Sequence, residues 1–510
     1  MKNLKMKKSS ILLLFLVLLF ATKIYSQTAT TEKRVEFEKD DGFGNVGTFN
    51  FGKDGLLIIS SLRIEKNEFK EFHFSKFNTE LEKVSETTIE LDEKENILYS
   101  IVNKNRLYIL CVSNKIKDKR TFSLIDFDYD TEKYNIVKGT IDQNYYSQSS
   151  AIVINDWCVC NVRIHGLNHI MAINSKTAEA KFIPVLFDGI KQNRIVFNGL
   201  QLSENGEGIF SYFWAKKKNK CTYSMFLDKD LNERKIILSN GENEILNSVT
   251  TSKISENENI VMGTYGLKIP GKSTGIYFAL TENESVKNIT FHNFTKFNNF
   301  FNFLSDKSQN RIEKKIDRIE SKGKDVVLLY NMSSHNLIKV DEDFLYVGEA
   351  YYPTYHYENT TTFVNGKSST TSTRVFDGYK YTHAVCAKFN KSGELLWDQC
   401  FELNVAETPL YVKQYVRVGL VNQNKINLVY SDGTKIYNKI IDYEGKTISE
   451  EASSLIESNH EGDVTKYIYS QTLFWYDNYY VNFGSQKIKN VTDEDVKRKR
   501  IIYFVNKIKF

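Results

Sequence analysis

"HAVCAKFNKSGELLWDQCFE", His383 to Glu402, reads as an alternating strand, a polar turn opened by Asn390, and a second strand. The same unit recurs as "FHFSKFNTELEKV" from Phe72, "FSLIDFDYDTEKYNIV" from Phe122, "HIMAINSKTAEAKFI" from His169 and "YSMFLDKDLNERKIIL" from Tyr223. "GIYFALTENESVKNITF" from Gly275, "IYNKIIDYEGKTI" from Ile436 and a shortened "IIYFVNKIKF" from Ile501 bring the copies to eight. The turn-opening residues Asn78, Asp128, Asn174, Asp228 and Glu282 are spaced by 50, 46, 54 and 54. Asn390 follows after 108 residues, Asp442 after a further 52 and Asn506 after 64. Asn and Asp suit such positions because their side chains bond to the turn's own backbone.

A second strand pair precedes most of these hairpins, as in "ILYSIVNKNRLYILCVS" from Ile97. Four short strands per roughly 50 residues is the size of a propeller blade. One blade cannot bury both of its faces, so blades stacked around an axis supply the shared core. The expected fold is all-β, a β-propeller of seven or eight blades with eight favoured, carrying a short helical insertion. "RVEFEK" (Arg34 to Lys39) offers a strand that completes the shortened last unit and closes the ring. The competing architecture is a pair of packed β domains divided near residues 292–325.

Two insertions stretch the 108-residue interval. Between Phe294 and Lys324, the residues Phe294, Phe297, Phe301 and Leu304, then Ile312, Ile316 and Ile319, recur at helical spacing. This predicts one or two helices over about 294–322, with Gly323 as C-cap and the apolar stripe against the protein's own body. The second insertion, about 353–380, is rich in Thr, Ser and Asn and contains the turn signal "VNGKSS". It predicts a projecting loop or hairpin.

The N-terminal 26 residues combine Lys2, Lys5, Lys7 and Lys8 with the ten-residue apolar core Ile11 to Phe20 and a small residue, Ser26, at the expected cleavage point. That is the pattern of a secretory signal peptide, too short for a membrane span, which leaves 27–510 as a single propeller. No cysteine follows the apolar core, so lipid attachment is not indicated, and no later stretch approaches spanning length. The expected location is the periplasm, the cell surface or the exterior. The five lysines of residues 1–26 account for the whole net charge of +5. The remaining chain is neutral and gives no electrostatic footprint for nucleic acid.

Six cysteines in an exported chain permit disulfides. Folding the hairpin about Lys391-Ser392 sets Cys386 opposite Trp397, three residues from Cys400, so buried free thiols are expected instead. Cys158, Cys160, His165 and His169 have the count for zinc. A turn through Gly166-Leu167 would put His169 opposite Ile164, roughly 13 Å along the strand from Cys160, and no metal is expected. "GFGNVG" (Gly42 to Gly47) matches a dinucleotide-binding glycine pattern, but strand and turn signals follow it where a helix is required. "DFDYD" and "DKDLN", from Asp126 and Asp228, lack the Gly and Glu of a calcium loop and read as hairpin turns. No nucleophile elbow, Walker loop or H-E-x-x-H occurs.

"YVGEAYYPTYHY" from Tyr346 gathers Glu349, Tyr351, Tyr352, Tyr355, His356 and Tyr357, and Phe376, Tyr379 and Tyr381 follow the polar insertion. Aromatic faces mixed with polar groups suit a protein or glycan surface, and these nine residues form the candidate binding site. "GEAYYPTY" and "RVFDGYKYTHAVCAKFNKSGELLW" resemble a group of exported, uncharacterised bacterial proteins with β-propeller-like repeats. The resemblance covers about 60 residues, implies the propeller, and carries over no functional residue. "FNKSGELLW" is also similar to the strand-turn-Trp unit of quinoprotein propellers; the other hairpins lack its Gly and Trp, so no quinone or other cofactor is expected. The expected function is a binding or scaffold module for a protein or glycan partner in the cell envelope. The alternative is an enzyme cleaving polysaccharide or peptide, with carboxylates gathered at the propeller axis.

Overall fold

The computed structural model describes residues 29–510, apart from 39–42, 64–68, 93–94, 114–119, 142–144, 148–150, 204–205, 216–220, 240–243, 256, 268, 270, 283–284, 365–366, 422–423, 456–457 and 493–496. The signal segment, residues 1–26, lies outside the described residues. Described residues form eight antiparallel sheets of four or five strands. In chain order these span Phe43 to Asp92, Glu95 to Ile141, Tyr145 to Pro184, Ile195 to Ser239, Ile245 to Asn293, Asn331 to Glu402, Arg417 to Ser454 and Asp463 to Lys509. The eighth is completed by the strand Thr30–Glu38, which pairs with Lys499–Lys509. The five-stranded sheets arise where the first strand is interrupted: Ile245–Leu246 and Thr250–Lys253 both pair with Glu258–Gly266.

"LLII" at Leu56 to Ile59 explains how the sheets stack. Leu56 and Ile58 meet Trp475 and Val481 of the eighth sheet, whereas Leu57 and Ile59 meet Leu107 and Ile109 of the second. Successive side chains of a strand point to opposite faces, so a continuous apolar run serves two neighbours at once. Phe344 and Tyr346 face the fifth sheet in the same way, while Leu345 and Val347 face the seventh. Eight such clusters join consecutive sheets, and two of them tie the seventh to the eighth and the eighth to the first. The ring is closed, and the fold is an all-β propeller. Outermost strands bury one face only: Thr447–Ser454 alternates strictly between half-buried and exposed residues.

The first strands bond to one another and so mark the inner rim. Asn50 Nδ2 donates to Phe474 O at 2.7 Å, Asn103 Nδ2 to Val153 O at 3.1 Å and Gln201 Nε2 to Thr251 O at 2.9 Å. The turns between third and fourth strands use the chemistry their sequence announces. Asn390 Oδ1 accepts from Ser392 N at 3.0 Å and Glu394 N at 2.9 Å; Asp228 Oδ1 accepts from Asp230 N and Asn232 N at 2.9 and 2.8 Å. At Glu282 the two residues that follow, 283–284, lie outside the described set.

The helical insertion differs from its prediction. Its α-helix is Asp306–Glu320, preceded only by a 3-10 turn at Phe294–Lys296. The stretch between fails to become helical because Asp398 takes its backbone: Asn298 N and Asn299 N donate to that carboxylate at 2.8 and 2.7 Å, and Asn299 Nδ2 donates to Asp398 O. Phe294, Phe297, Phe300 and Phe301 still enter the core between the fifth and sixth sheets, together with Ile316. Ile312, Ile316 and Ile319 thus turn toward the protein's own body.

His383 lies under this insertion, its ring stacked on Phe303 at 3.8 Å and edge-on to Phe300 at 4.8 Å. Burial pushes its pKa from 6.5 down to about 3. Between those values the unfolded chain takes up a proton that the folded chain refuses. Stability is therefore complete above the unfolded pKa and is lost as pH falls toward about 3. His383→Phe keeps an aromatic ring and removes this proton. Its melting temperature is expected to fall less than that of the natural chain between pH about 7 and about 4.5. Parallel falls in both proteins would remove His383 as the source.

The cysteine register also differs from its prediction. Cys386 faces Gln399 and Cys400 faces Val385, because the turn spans Asn390 to Glu394 and a bulge lies between Lys388 and Phe389. Adjacent register positions put the two thiols on opposite faces of the sheet. All six cysteines are free, and burial pushes the Cys158 and Cys400 thiols up to about 12, away from thiolate chemistry.

Candidate functional site

The polar insertion is a hairpin. Its strands Asp343–Val364 and Lys367–Phe389 have 22 and 23 residues, yet their sheet neighbours reach only to Tyr351 and His383. Beyond those residues a two-stranded ribbon continues alone. The side chains at its tip, 363–367, lie outside the description. A bulge between Thr354 and Tyr355 sets the ribbon's twist. Gly378 sits where the 408–409 segment crosses: a Cβ there would lie 2.5 Å from Thr408 O and 2.8 Å from Pro409 O, at φ 127°. Tyr379 N donates to Pro409 O at 2.9 Å, which holds the crossing strap to the ribbon.

Register divides the predicted site residues between two faces. Tyr351, Tyr355 and Tyr357 share one face with their cross-strand partners Tyr381, Phe376 and Arg374. Ring contacts run along it: Tyr355 to Phe376 at 5.6 Å, Phe376 to Tyr379 at 5.1 Å, Tyr379 to Tyr351 at 5.2 Å and Tyr351 to Tyr381 at 5.7 Å. The Arg374 guanidinium caps the row 3.5 Å from the Tyr355 ring. Tyr352 and His356 occupy the other face. Asp377 and then Glu358 bond the His356 ring and raise its pKa. Tyr352, Tyr355 and Tyr357 are 44, 41 and 67% exposed; Tyr381 is buried.

Glu349 departs from the surface expected for it. It is wholly buried, and its carboxylate accepts from His335 Nε2 at 2.7 Å and from the backbone N of Tyr415 and Val416 at 2.9 Å. Alternation alone does not distinguish an outward carboxylate from one turned beneath a neighbouring segment. Glu349 anchors residues 415–416, and Tyr381 does the same nearby, its hydroxyl bonding Lys413 O at 2.6 Å and Lys413 N at 2.9 Å.

Those bonds position a pocket of about 240 Å³ between the inner strands of the seventh and eighth sheets. Tyr411, Lys413, Tyr415 and Arg417 line one side, with Ser470 and Gln471 opposite. Arg417 Nε donates to Thr472 O at 2.9 Å, linking the two sheets. No carboxylate belongs to the lining. Sequence reasoning missed these residues, although "YVKQYVR" (Tyr411 to Arg417) carries a signal. Aromatic and basic residues alternate at every second position, which in an extended segment places all four on one side.

The zinc candidates sit differently from their predicted register. His165 and Gly166 both take positive φ, 47° and 80°, in a two-residue turn, so His169 faces Val162. Among the described residues no three His, Cys, Asp or Glu side chains come together to hold a metal. In "GFGNVG", Gly42 lies outside the described residues; Phe43–Asn50 is a strand that leads into a 3-10 turn and another strand. Among the described residues no helix is long and apolar enough to cross a membrane.

No family model and no curated protein matches the chain. Among solved structures it is similar to prolyl oligopeptidase B from Galerina marginata, at 9% identity over 88% of this chain and 56% of that chain, TM-score 0.37. It is similar to the β-propeller domain of the Trilobed protease from Pyrococcus furiosus, at 9% identity over 79% and 99%, TM-score 0.35. A third is the WD40 domain of SCAP from fission yeast, at 8% identity over 94% and 98%, TM-score 0.38. The chain spans about half the length of the prolyl endopeptidase structures it matches. These likenesses are remote, and the fold rests on the sheet order and ring closure.

Proposed function

We propose that the protein is an exported binding or scaffold module of the cell envelope, periplasmic or at the surface, that takes a protein or glycan partner on the ribbon spanning about 353–377. The observation that supports this most is the ribbon itself. It leaves the rigid ring as two strands paired only with each other and presents exposed Tyr352, Tyr355 and Tyr357. Two-stranded ribbons are marginal on their own, so one held by an aromatic row and a crossing strap has a rigid base and an accessible end. Export rests on the N-terminal sequence pattern.

Deleting residues 360–373 joins Asn359 to Arg374 and leaves Glu358-Asn359 as a two-residue loop under the Tyr357–Arg374 pair. The shortened protein is expected to keep its melting temperature and lose the partner that the full chain retains from envelope extract, with protein and glycan arms read separately. Undiminished capture of that partner would count against the ribbon.

A further inference from the structure

The pocket between the seventh and eighth sheets carries one cation that lacks a direct ion pair among the described residues. Lys413 is paired with Glu407, which also accepts from the Tyr415 hydroxyl at 3.1 Å. Arg417 forms no ion pair among the described residues; its Nε bonds a carbonyl, and the nearby Glu349 carboxylate is engaged by His335 and two backbone amides. Burial lowers the Arg417 pKa, yet a guanidinium remains charged at neutral pH. One planar cation thus stands in the wall with no direct ion pair among the described residues, and the Glu349 carboxylate acts on it only from a distance.

The rest of the wall is polar. Gln414 and Gln471 contribute amides and Ser431 and Ser470 hydroxyls, and Tyr411 and Tyr415 bring ring faces. At about 240 Å³ the space is smaller than the roughly 300–1,000 Å³ of sites for drug-sized ligands, which limits it to a unit the size of one sugar ring. We propose that this pocket binds a sugar acid, the uronate unit of an acidic polysaccharide or its free monomer, with the ligand carboxylate on Arg417. A guanidinium fork matches a carboxylate in two parallel hydrogen bonds. Gln414 Nε2, Gln471 Nε2 and the Ser470 hydroxyl already donate to Ser334 O, Tyr469 Oη and Gly433 O, so the amide and hydroxyl oxygens serve as acceptors for the ring hydroxyls, and a tyrosine face covers the ring's C–H surface. One guanidinium without a direct ion pair fits a monoanion better than a phosphate dianion. A peptide's C-terminal residue would bring an apolar side chain to a wall built of polar groups. The pocket's lining shares no residue with the ribbon, and the assignment holds whether or not the ribbon binds a partner.

Calorimetric titration of the full chain with D-galacturonate, D-glucuronate and short oligogalacturonates tests the assignment, with galactose, glucose and inorganic phosphate in parallel. At least one uronate is expected to bind, with the matching neutral sugar weaker by about tenfold or more. Arg417→Lys, which keeps the charge but not the fork, is expected to weaken uronate binding by a similar factor. Gln471→Ala leaves the link to Thr472 intact and is expected to weaken it several-fold, which keeps the test decisive if Arg417 variants fold poorly. Oligogalacturonate binding tighter than monomer would place a polymer end in the pocket; equal affinity would make the free monomer the ligand. Uronate and neutral sugar binding alike, phosphate binding more tightly, or no heat with any uronate overturns the proposal. The shortened-ribbon protein should bind uronate as the full chain does, so failure of one reading is distinguishable from failure of the other.

Discussion

Removal of residues 29–38 is expected to open the ring and cost stability on the order of 5 kcal/mol, and moving the same residues to follow Phe510 is expected to restore it. The strand Thr30–Glu38 pairs with Lys499–Lys509 from Thr30 opposite Lys509 to Glu38 opposite Ile502. Arg34 is buried within it, donating to Gln486 Oε1 at 2.7 Å and Asn506 Oδ1 at 3.2 Å, with its guanidinium 4.4 Å from the Phe504 ring. Val35 and Phe37 pack into the cluster that joins the eighth sheet to the first, where Phe37 meets Phe77 at 5.7 Å. Without the strand, the third strand of the eighth sheet becomes an open edge beside an uncovered apolar seam, a template for association. Because Thr30 lies opposite Lys509, a five-residue turn copied from Asn390 to Glu394 can join Phe510 to Ala29 and rebuild the hairpin found in the other sheets. Thermal melts and light scattering check both arms. A truncated protein that melts with the natural chain, or a rearranged one that stays as weak as the truncated one, would sink the closure account.

Seven hairpins were legible because their turns and strands are local; Asn506, expected to open an eighth turn, instead lies buried within the strand Lys499–Lys509, opposite Arg34 and Asn482. Asn78, Asp128, Asn174, Asp228, Asn390 and Asp442 open turns whose backbone amides they bind, and the apolar alternation around them follows from burial of both faces. Closure by Thr30–Glu38 was legible for a related reason, since a hairpin missing its second strand must find one elsewhere. What failed to be legible depended on distant partners. Asp398, about a hundred residues along the chain, pulls Asn298 and Asn299 out of helical conformation. A five-residue turn and one bulge beside Phe389 together moved the cysteine register by two positions. At the candidate site, the aromatic row was visible in composition, but its division into faces depended on bulges at 350/351 and 354/355. The pocket was hidden for the opposite reason. Its residues form a clear alternating stripe, but only the ring brings that stripe against Ser470 and Gln471.

Asp463→Ala is expected to cost about 3–5 kcal/mol, the largest effect foreseen for a single substitution in this chain. Its carboxylate sits at the start of the eighth sheet's first strand and accepts from Arg500 Nη1 at 2.9 Å and Asn490 Nδ2 at 3.0 Å, with further bonds from Arg500 Nη2 and the Ser458 hydroxyl. Both side chains are 3% exposed. Burial alone would raise this carboxyl's pKa; the bonds from Arg500, Ser458 and Asn490 outweigh it and hold the group below the usual carboxylate value. The folded pKa is depressed, so the contribution is complete above the ordinary value of 3.8 and is lost as pH falls through the lower, folded one. That window lies below most of the one assigned to His383, so acid titrations of the two variants separate them. Alanine leaves the enclosed Arg500 guanidinium with only the part-exposed Glu38 carboxylate, 3.9 Å from its Nε, and the poorly compensated charge carries most of the cost. Replacing both residues, as Asp463→Leu with Arg500→Met, removes the charge along with its partner and is expected to destabilise less than Asp463→Ala alone. A double-mutant cycle read by denaturant and thermal unfolding gives the coupling. If Asp463→Ala lies within about 1 kcal/mol of the natural chain, the pair is a solvated surface contact and the eighth sheet is held by its ladder and apolar seam alone.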